Sequence, residues 1–165
     1  MIETDWEERV ARVWTTIDDL DETDFRDRIE QLAAELPEGS GIAAFERACS
    51  FDSTGHSDVA VPLHRQALEA GVTGLRRRRS VIQMSSSLRN VGRAQESVEL
   101  LTAELAATSD DLDDAVRATL ALALTDVGRE REAVSIAVGA LAKHLPRYQR
   151  SMANYARLLV EPEDA

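Results

Sequence analysis

The 165-residue sequence has few of the residues that interrupt helices or build disulfide frameworks. Its one cysteine, Cys49, cannot form an intramolecular disulfide, which excludes the framework of a small secreted domain. Only four prolines and eight glycines interrupt it, and aromatic residues make up 4% of it. Alternation of Val, Ile, Thr and aromatic residues never persists, which argues against strands. The apolar residues are mostly Ala, Leu and Val, and since Ala and Leu favour helices, the composition predicts an all-α fold.

Long apolar runs are also missing. No window approaches 18 uninterrupted apolar residues, so we expect no membrane-spanning segment. The first residues are acidic from Glu3 onward and lack a basic stretch before an apolar run, so we expect no signal peptide and a cytoplasmic location. Lys143 is the only lysine beside many arginines, which indicates a bacterial genome of high GC content.

The net charge of −11 argues against nucleic-acid binding, which normally depends on a basic surface. The charge is unevenly distributed along the chain. Residues 1–38 contain 13 acidic residues and four arginines, whereas residues 74–93 contain six arginines and no acidic residue. A second window, residues 143–157, is also purely basic. These opposite segments predict a polarity that bears on what the protein binds.

Internal repeats organise the chain. Residues 88–93, Leu-Arg-Asn-Val-Gly-Arg, resemble residues 124–129, Leu-Thr-Asp-Val-Gly-Arg, and a weaker copy surrounds Gly55. The glycines of the three copies are 37 and 36 residues apart. Small residues (Ala or Ser) and larger apolar residues recur at fixed distances from these glycines. The aligned columns are Ala48, Ser85 and Ala121; Phe51, Leu88 and Leu124; Gly55, Gly92 and Gly128; Ala60, Ser97 and Ala133; Val61, Val98 and Val134; Leu68, Leu105 and Leu141.

This pattern predicts helical hairpins. The glycine ends the first helix and permits a tight reversal, and the small residues lie where two helices approach closely. The columns, with Ala67-Leu68 and Ala140-Leu141, resemble the tetratricopeptide repeat over residues 41–145, in the manner of small bacterial proteins of this family. The resemblance implies one domain over residues 1–165, a right-handed α-solenoid of three hairpins. An acidic helical pair at residues 1–36 precedes the hairpins, and a capping helix at residues 146–160 follows them.

Local signals set the expected helix limits. We predict helices at 4–19 and 23–36, hairpins at 41–54/57–70, 74–91/94–108 and 111–127/130–144, and a last helix at 147–160 opened by Pro146. Ser40 should cap the helix after the linker at 37–41, and Ser109, Asp110 or Asp111 should cap the third hairpin. Pro62 should delay or kink the helix that contains it.

No residue pattern indicates catalysis, a metal or a cofactor. His56, His64 and His144 have no ligand spacing, and the acidic stretch 110–114 lacks the calcium-loop pattern, so it is interpreted as helix-terminal charge. We interpret His64 as a packing residue and Cys49 as a small packing or groove residue, since neither has a recognisable catalytic partner. The sequence therefore predicts a protein that is not an enzyme.

The arginine-rich window is the candidate binding region. Four consecutive arginines, 76–79, point in four directions on a helix, so they cannot share one ligand. They oppose the helix dipole, so an anionic group should lie nearby, and pairing with the acidic N-terminal helices is one interpretation. A polar stripe faces away from Val81, Met84, Ser85 and Leu88, and a second follows the last helix. The predicted partner-binding residues are Arg79, Gln83, Ser86, Arg89, Asn90, Arg150, Ser151, Asn154 and Arg157.

The family geometry implies that these stripes face one concave groove. The leading hypothesis is a protein-interaction scaffold whose arginines bind an acidic peptide, a C-terminal carboxylate or an acidic partner face. One alternative is a homo-oligomer held together by its acidic and basic segments. Another is a module that senses a small anionic ligand. Nucleic-acid and membrane partners are not expected.

Overall fold

Nine α-helices account for most of residues 2–107 and 109–161, the part of the chain that this computed structural model describes. They are α1 (Ile2–Trp14), α2 (Glu22–Ala33), α3 (Gly41–Ser53), α4 (Ser57–Glu69), α5 (Gly74–Asn90), α6 (Ala94–Ala107), α7 (Asp113–Asp126), α8 (Glu130–Ala142) and α9 (Gln149–Leu158). No strand occurs in these residues. The all-α prediction is confirmed, as are the hairpins α3/α4 and α7/α8, whose helices pack on each other, and α5 and α6 lie at their predicted positions along the chain on either side of Gly92.

The three predicted turn glycines occupy the same local structure. Gly55, Gly92 and Gly128 have φ of +80°, +78° and +76°, a left-handed conformation that glycine adopts without a steric cost. At each, the next residue donates its N–H to the carbonyl five residues back, at 2.9, 2.8 and 2.8 Å. This is the Schellman bond that ends an α-helix. The repeat alignment is therefore confirmed at the level of backbone hydrogen bonds.

The chain forms two compact units, residues 1–87 and 88–165, and α5 crosses the boundary between them. In the first unit, α1 packs on α2, α2 on α3 and α3 on α4. Helix α1 supplies Trp6 and Val10 to a core with Leu32, whose carbonyl accepts the Trp6 Nε1–H at 2.8 Å. Trp14 packs edge-to-face on Phe25, with ring centroids 5.1 Å apart, and against a second cluster centred on Phe45.

In the second unit, α6 packs on α7, α7 on α8 and α8 on α9. Its core contains the column residues Leu88 and Leu124 together with Leu101 and Val116, all of which are buried. The small column residues are also buried in every repeat where they occur. They are Ala48, Ser85, Ala121, Ala60, Ser97 and Ala133. Close approach of helices at these positions therefore follows from the small size of the side chains, as predicted.

Several predicted helix limits are wrong. Helix α1 ends at Trp14 instead of residue 19, and the hydroxyls of Thr15 and Thr16 donate to the carbonyls of Arg12 and Val13 at the point where it stops. Helix α4 begins at Ser57, so Pro62 does not delay it.

The predicted cap of α3 is confirmed, since the Ser40 hydroxyl accepts the Ala43 N–H at 3.3 Å. The starts of α7 and α9 differ from the prediction. At α7 the cap position is Leu112, whose apolar side chain cannot accept a capping bond, and the predicted cap Asp110 instead accepts the Leu112 N–H at 2.8 Å in the preceding turn. Helix α9 begins at Gln149 and not at 147, because Tyr148 adopts a left-handed φ of +68°.

Candidate functional site

The four consecutive arginines of α5 point in different directions, as predicted. Arg78 is buried, Arg76 and Arg77 are half-buried, and Arg79 is exposed. The buried face predicted for this helix is confirmed, since Val81, Met84, Ser85 and Leu88 are all buried. Gln83, Ser86 and Arg89 of the predicted stripe are partly exposed and Asn90 is exposed. The polar stripe of α5 thus reaches solvent.

Arg76 is engaged by acidic side chains of its own unit. Its Nη2 lies 2.5 Å from Glu7 Oε2 on α1 and 3.3 Å from Glu46 Oε1 on α3. The Glu46 carboxylate, which is buried, also accepts the Trp14 Nε1–H at 2.9 Å. The anionic group expected beside the basic start of α5 is therefore present at Arg76, and one of the N-terminal acidic residues supplies it.

Arg79 is held over an aromatic ring. Its guanidinium carbon lies 5.1 Å from the centroid of the Phe45 ring, a cation–π contact, and the residue as a whole is exposed. One turn further along α5, Gln83 Oε1 accepts the Cys49 thiol at 3.1 Å, so the opposite end of its amide is a hydrogen-bond donor. Arg79, Gln83 and Ser86 are named here the α5 patch.

The positive charge of Arg79 contributes to the pKa shifts of two buried side chains, His64 and Cys49. Burial, with a smaller contribution from Arg79, lowers the pKa of His64 to about 4, so the imidazole is neutral at pH 7. His64 is fully buried, and its Nδ1 lies 2.8 Å from Ser80 Oγ. Burial also raises the pKa of the Cys49 thiol well above its usual value. The predicted packing roles of His64 and Cys49 are confirmed, since both are buried. Because the Cys49 thiol stays protonated, it is chemically inert.

An acidic residue that the sequence pattern did not single out, Asp52, is bonded to the residue after Ser86. Asp52 on α3 accepts a short hydrogen bond from the Ser87 hydroxyl on α5, and burial raises the pKa of its carboxyl. The signal was available, because Ser87 is one residue beyond Ser86 and Asp52 lies one turn before the Gly55 corner. The hydrogen bond between them places both side chains between α3 and α5 in the first unit.

In the second unit, Arg89 is already paired. Its Nε lies 2.6 Å from Asp126 Oδ2, which joins the end of α5 to the end of α7. Asp126 is 37 residues after Arg89, so the pair links equivalent ends of consecutive repeats. The sequence pattern predicted the stripe and gave no indication of this internal partner.

The polar stripe of α9 surrounds a surface depression. Arg150, Ser151 and Asn154, with Tyr148 and Gln149, line an open volume of about 690 Å³. Arg157 donates to Asn154 Oδ1 at 2.8 Å and forms a short ion pair with Glu161. Of the α9 residues predicted to bind, Arg150, Asn154 and Arg157 are exposed and Ser151 is partly exposed. These four predicted residues therefore share one face of α9 in the second unit.

A second charged cluster, also missed, lies between α7 and α8. Asp114 Oδ2 contacts Lys143 Nζ at 2.7 Å and His144 Nε2 at 2.9 Å, and its Oδ1 contacts Arg117 at 3.0 Å. Hydrogen bonds from Lys143, then His144 and Arg117, hold the pKa of the Asp114 carboxyl well below its usual value. Because Asp114 lies in the first turn of α7, as helix-terminal charge does, the cluster ties the start of α7 to the end of α8.

Among residues 2–107 and 109–161, no group of three or more His, Cys, Asp or Glu side chains is arranged to hold a metal ion. No helix within those ranges has the length and apolar character needed to cross a bilayer.

The helical pairs, the repeated glycine corners and the buried small columns define an α-helical repeat protein. A family model described as "Tetratrico peptide repeat" matches residues 41–159, so the chain belongs to the tetratricopeptide repeat family. The match includes α9, which the predicted repeat region, 41–145, left out. Neither the curated proteins nor the solved structures contain a match. Repeats of this family mediate protein–protein interactions and are typically non-enzymatic scaffolds.

Proposed function

We propose that the protein is an interaction scaffold that binds acidic partner segments at two exposed polar faces, that of α5 and that of α9. The observation that carries this proposal is the state of Arg79. Its guanidinium is exposed and oriented by Phe45, and its charge contributes to the lowered pKa of His64. A cation fixed in this way can donate to a carboxylate with little loss of side-chain freedom.

The neighbours of Arg79 suit an extended peptide. The Gln83 amide offers a donor to a backbone carbonyl, and the Ser86 hydroxyl can donate or accept. Both lie on the same side of α5 as Arg79, at steps of four and three residues. The α5 patch thus combines one charged donor for an acidic side chain with neutral groups for main-chain atoms.

The predicted arginines differ in how readily each can form an ion pair with a carboxylate of the ligand. An incoming carboxylate must displace Asp126 from Arg89 and Glu161 from Arg157, whereas Arg79 rests on an aromatic ring. Arg150 is exposed at the α9 depression. We therefore expect Arg79 and Arg150 to contribute most to binding. Arg89 and Arg157 should contribute less, since ligand pairing there replaces an existing ion pair.

Fluorescence anisotropy with a labelled Glu/Asp-rich peptide library tests the proposal. Binding should weaken steeply as the salt concentration rises from about 50 to 300 mM, because exposed charge pairs are screened. Arg79→Ala and Arg150→Ala should each weaken binding, and the quadruple Ala variant at 79, 89, 150 and 157 should abolish it.

Arg12→Ala is the matched control. Arg12 is exposed on α1 and pairs with Glu8 at 3.8 Å, remote in sequence from both stripes. Circular dichroism should give the same helicity for all variants. Peptide binding that survives in the quadruple variant, or that falls equally in Arg12→Ala, would show that the stripes do not bind the peptide.

A further inference from the structure

Three contacts between α3 and α5 follow one another along both helices in the first unit. They are separated by steps of four and three residues on α3 and of four and four on α5, so each row lies on one face of its helix. Residue numbers rise together in the two rows, so the helices run side by side in the same direction. The contacts are Phe45 with Arg79 at 5.1 Å, Cys49 with Gln83 at 3.1 Å, and Asp52 with Ser87. This row is named here the α3–α5 seam.

The two ends of the seam carry opposite charges, and both reach solvent. Arg79 is exposed at one end, and Asp52 is half-buried at the other. From Arg79 to Ser87, the partner of Asp52, α5 advances by eight residues, a rise of about 12 Å. The solvent-facing side chains of α5 between them, Gln83 and Ser86, are neutral and partly exposed. A ligand that lies along the seam therefore meets a cation at one end and a carboxylate at the other.

The carboxylate of Asp52 has no cation of its own. Its Oδ1 accepts the Ser87 hydroxyl, and among the residues that the structure describes it forms no ion pair. Arg26 of α2, near the end of α3, is bonded to Thr54 and pairs with Glu22 instead. The charge of Asp52 is therefore not neutralised within the described part of the fold.

The buried thiol in the middle of the seam lies within electrostatic reach of both ends. Burial is the main cause of the raised pKa of Cys49, Glu46 and Asp52 raise it further, and Arg79 lowers it. Glu46 is buried and already paired with Arg76, so it offers no free charge to a ligand. Arg79 and Asp52 are thus the two charges of the seam that a ligand can meet.

We propose that the α3–α5 seam selects acidic segments that carry a basic residue about four positions from the acidic one, since an extended chain advances about 3.3 Å per residue and must span the seam. This inference rests on the proposed function of the α5 patch. The acidic side chain pairs with Arg79, and the basic side chain pairs with Asp52. A second acidic residue at that position faces Asp52 as a like charge, which weakens binding. Asp52 thus determines which acidic segments are accepted.

Anisotropy titrations with blocked peptides that carry the same neutral dye test the proposal. Each peptide places a glutamate four positions from Lys, Gln or a second Glu, with Ser and Gly between, and the Glu–Lys pair is made in both orders. The full chain carries Arg150→Ala, which removes the main expected donor of α9. At pH 8 the Asp52 carboxyl is ionised, although burial raises its pKa. We expect the better Glu–Lys order to bind at least about tenfold tighter than Glu–Glu, with Glu–Gln between them.

The variant Asp52→Asn isolates the effect of the carboxylate. Its amide oxygen can still accept the Ser87 hydroxyl, so circular dichroism should show unchanged helicity. The Glu–Lys peptide should bind more weakly and the Glu–Glu peptide more tightly, so that their affinities differ by less than about twofold. A general disturbance of the fold would move both affinities in the same direction. Asp27→Asn is the matched control, since Asp27 is an exposed aspartate on α2, and it should leave the preference unchanged.

The outcomes distinguish this proposal from the one on which it rests. If no peptide binds, or if Arg79→Ala binds the peptides as tightly as the chain with Arg79, the acidic-partner site on α5 is wrong, and selection by Asp52 is overturned with it. If binding depends on Arg79 but Glu–Lys and Glu–Glu bind equally, only the selection is overturned. A preference for Glu–Lys that persists in Asp52→Asn also overturns the selection alone.

Discussion

The ion pairs of Arg76 with Glu7 and Glu46 join α5 to α1 and α3, and their contribution to the stability of the first unit can be measured directly. Replacing Arg76 by Met keeps a long apolar side chain and removes the guanidinium that pairs with Glu7 and Glu46. The Glu46 carboxylate then remains buried with one donor, the Trp14 indole N–H at 2.9 Å. A buried charge with too few partners is destabilising, so the variant should unfold more readily.

The expected magnitude follows from burial. Removing one partner of a buried ion pair costs about 3–5 kcal/mol. The Arg76 side chain is 25% exposed and that of Glu7 is 38% exposed, so solvent screens part of the interaction. We expect a loss of about 2–3 kcal/mol in the free energy of unfolding. For a chain of this length, each kcal/mol lowers Tm by about 2–4 °C, so Tm should fall by roughly 4–12 °C.

Chemical denaturation followed by circular dichroism measures this loss, and a second substitution isolates its cause. In the double variant Glu46→Gln/Arg76→Met, the neutral amide still accepts the Trp14 N–H, so at least about half of the lost stability should return. Arg12→Met, which removes an exposed pair with Glu8, should change stability by less than about 0.5 kcal/mol. A double variant no more stable than Arg76→Met would refute burial of the unpaired carboxylate as the cause.

Three further outcomes are expected. Since the folded pKa of His64, about 4, is below the unfolded value of 6.5, the unfolded chain binds the proton more readily, and stability should fall as pH falls from 6.5 towards 4. His64→Asn should flatten that part of the Tm-against-pH curve, and an unchanged curve would contradict a neutral His64. Gly92→Ala, at φ +78° with open space around it, should cost about 1–2 kcal/mol in denaturant titration. Gly139→Ala, inside α8 with only ordinary contact to Ala156, should stabilise by about 0.5–1 kcal/mol, and a loss there would show that the helices are closer than 3.9 Å allows.

The parts of the fold that were predictable from sequence are those fixed by short-range chemistry. A left-handed residue is needed at each hairpin corner, and glycine supplies it at 55, 92 and 128. Small residues at fixed distances from those corners mark where helices touch. Because both signals repeat, the pairing of helices followed without knowledge of any tertiary contact.

Helix ends were less predictable, because single side chains decide them. Thr15 and Thr16 bond back to α1 carbonyls where the helix stops, and Tyr148 adopts a left-handed φ that postpones α9. Pro62 lacks an N–H and still lies within α4. Each of these outcomes depends on local bonds that a helix-favouring composition does not distinguish.

The binding residues were the hardest to rank, because an arginine stripe looks the same whether its members are paired or not. Arg76 and Arg89 lie on the same helix as Arg79, yet each pairs with a carboxylate from another helix, Glu7 or Asp126. Those acidic partners lie 69 and 37 residues away in the sequence, so no local pattern reveals them. The guanidinium carbons of Arg79 and Arg76 both lie over the Phe45 ring, at 5.1 and 5.8 Å, but Arg79 is exposed whereas Arg76 is half-buried between Glu7 and Glu46. Since an ion pair within the fold and an ion pair with a ligand compete for the same donors, we expect the exposed Arg79 to contribute more than Arg76 or Arg89 to the proposed binding of an acidic partner.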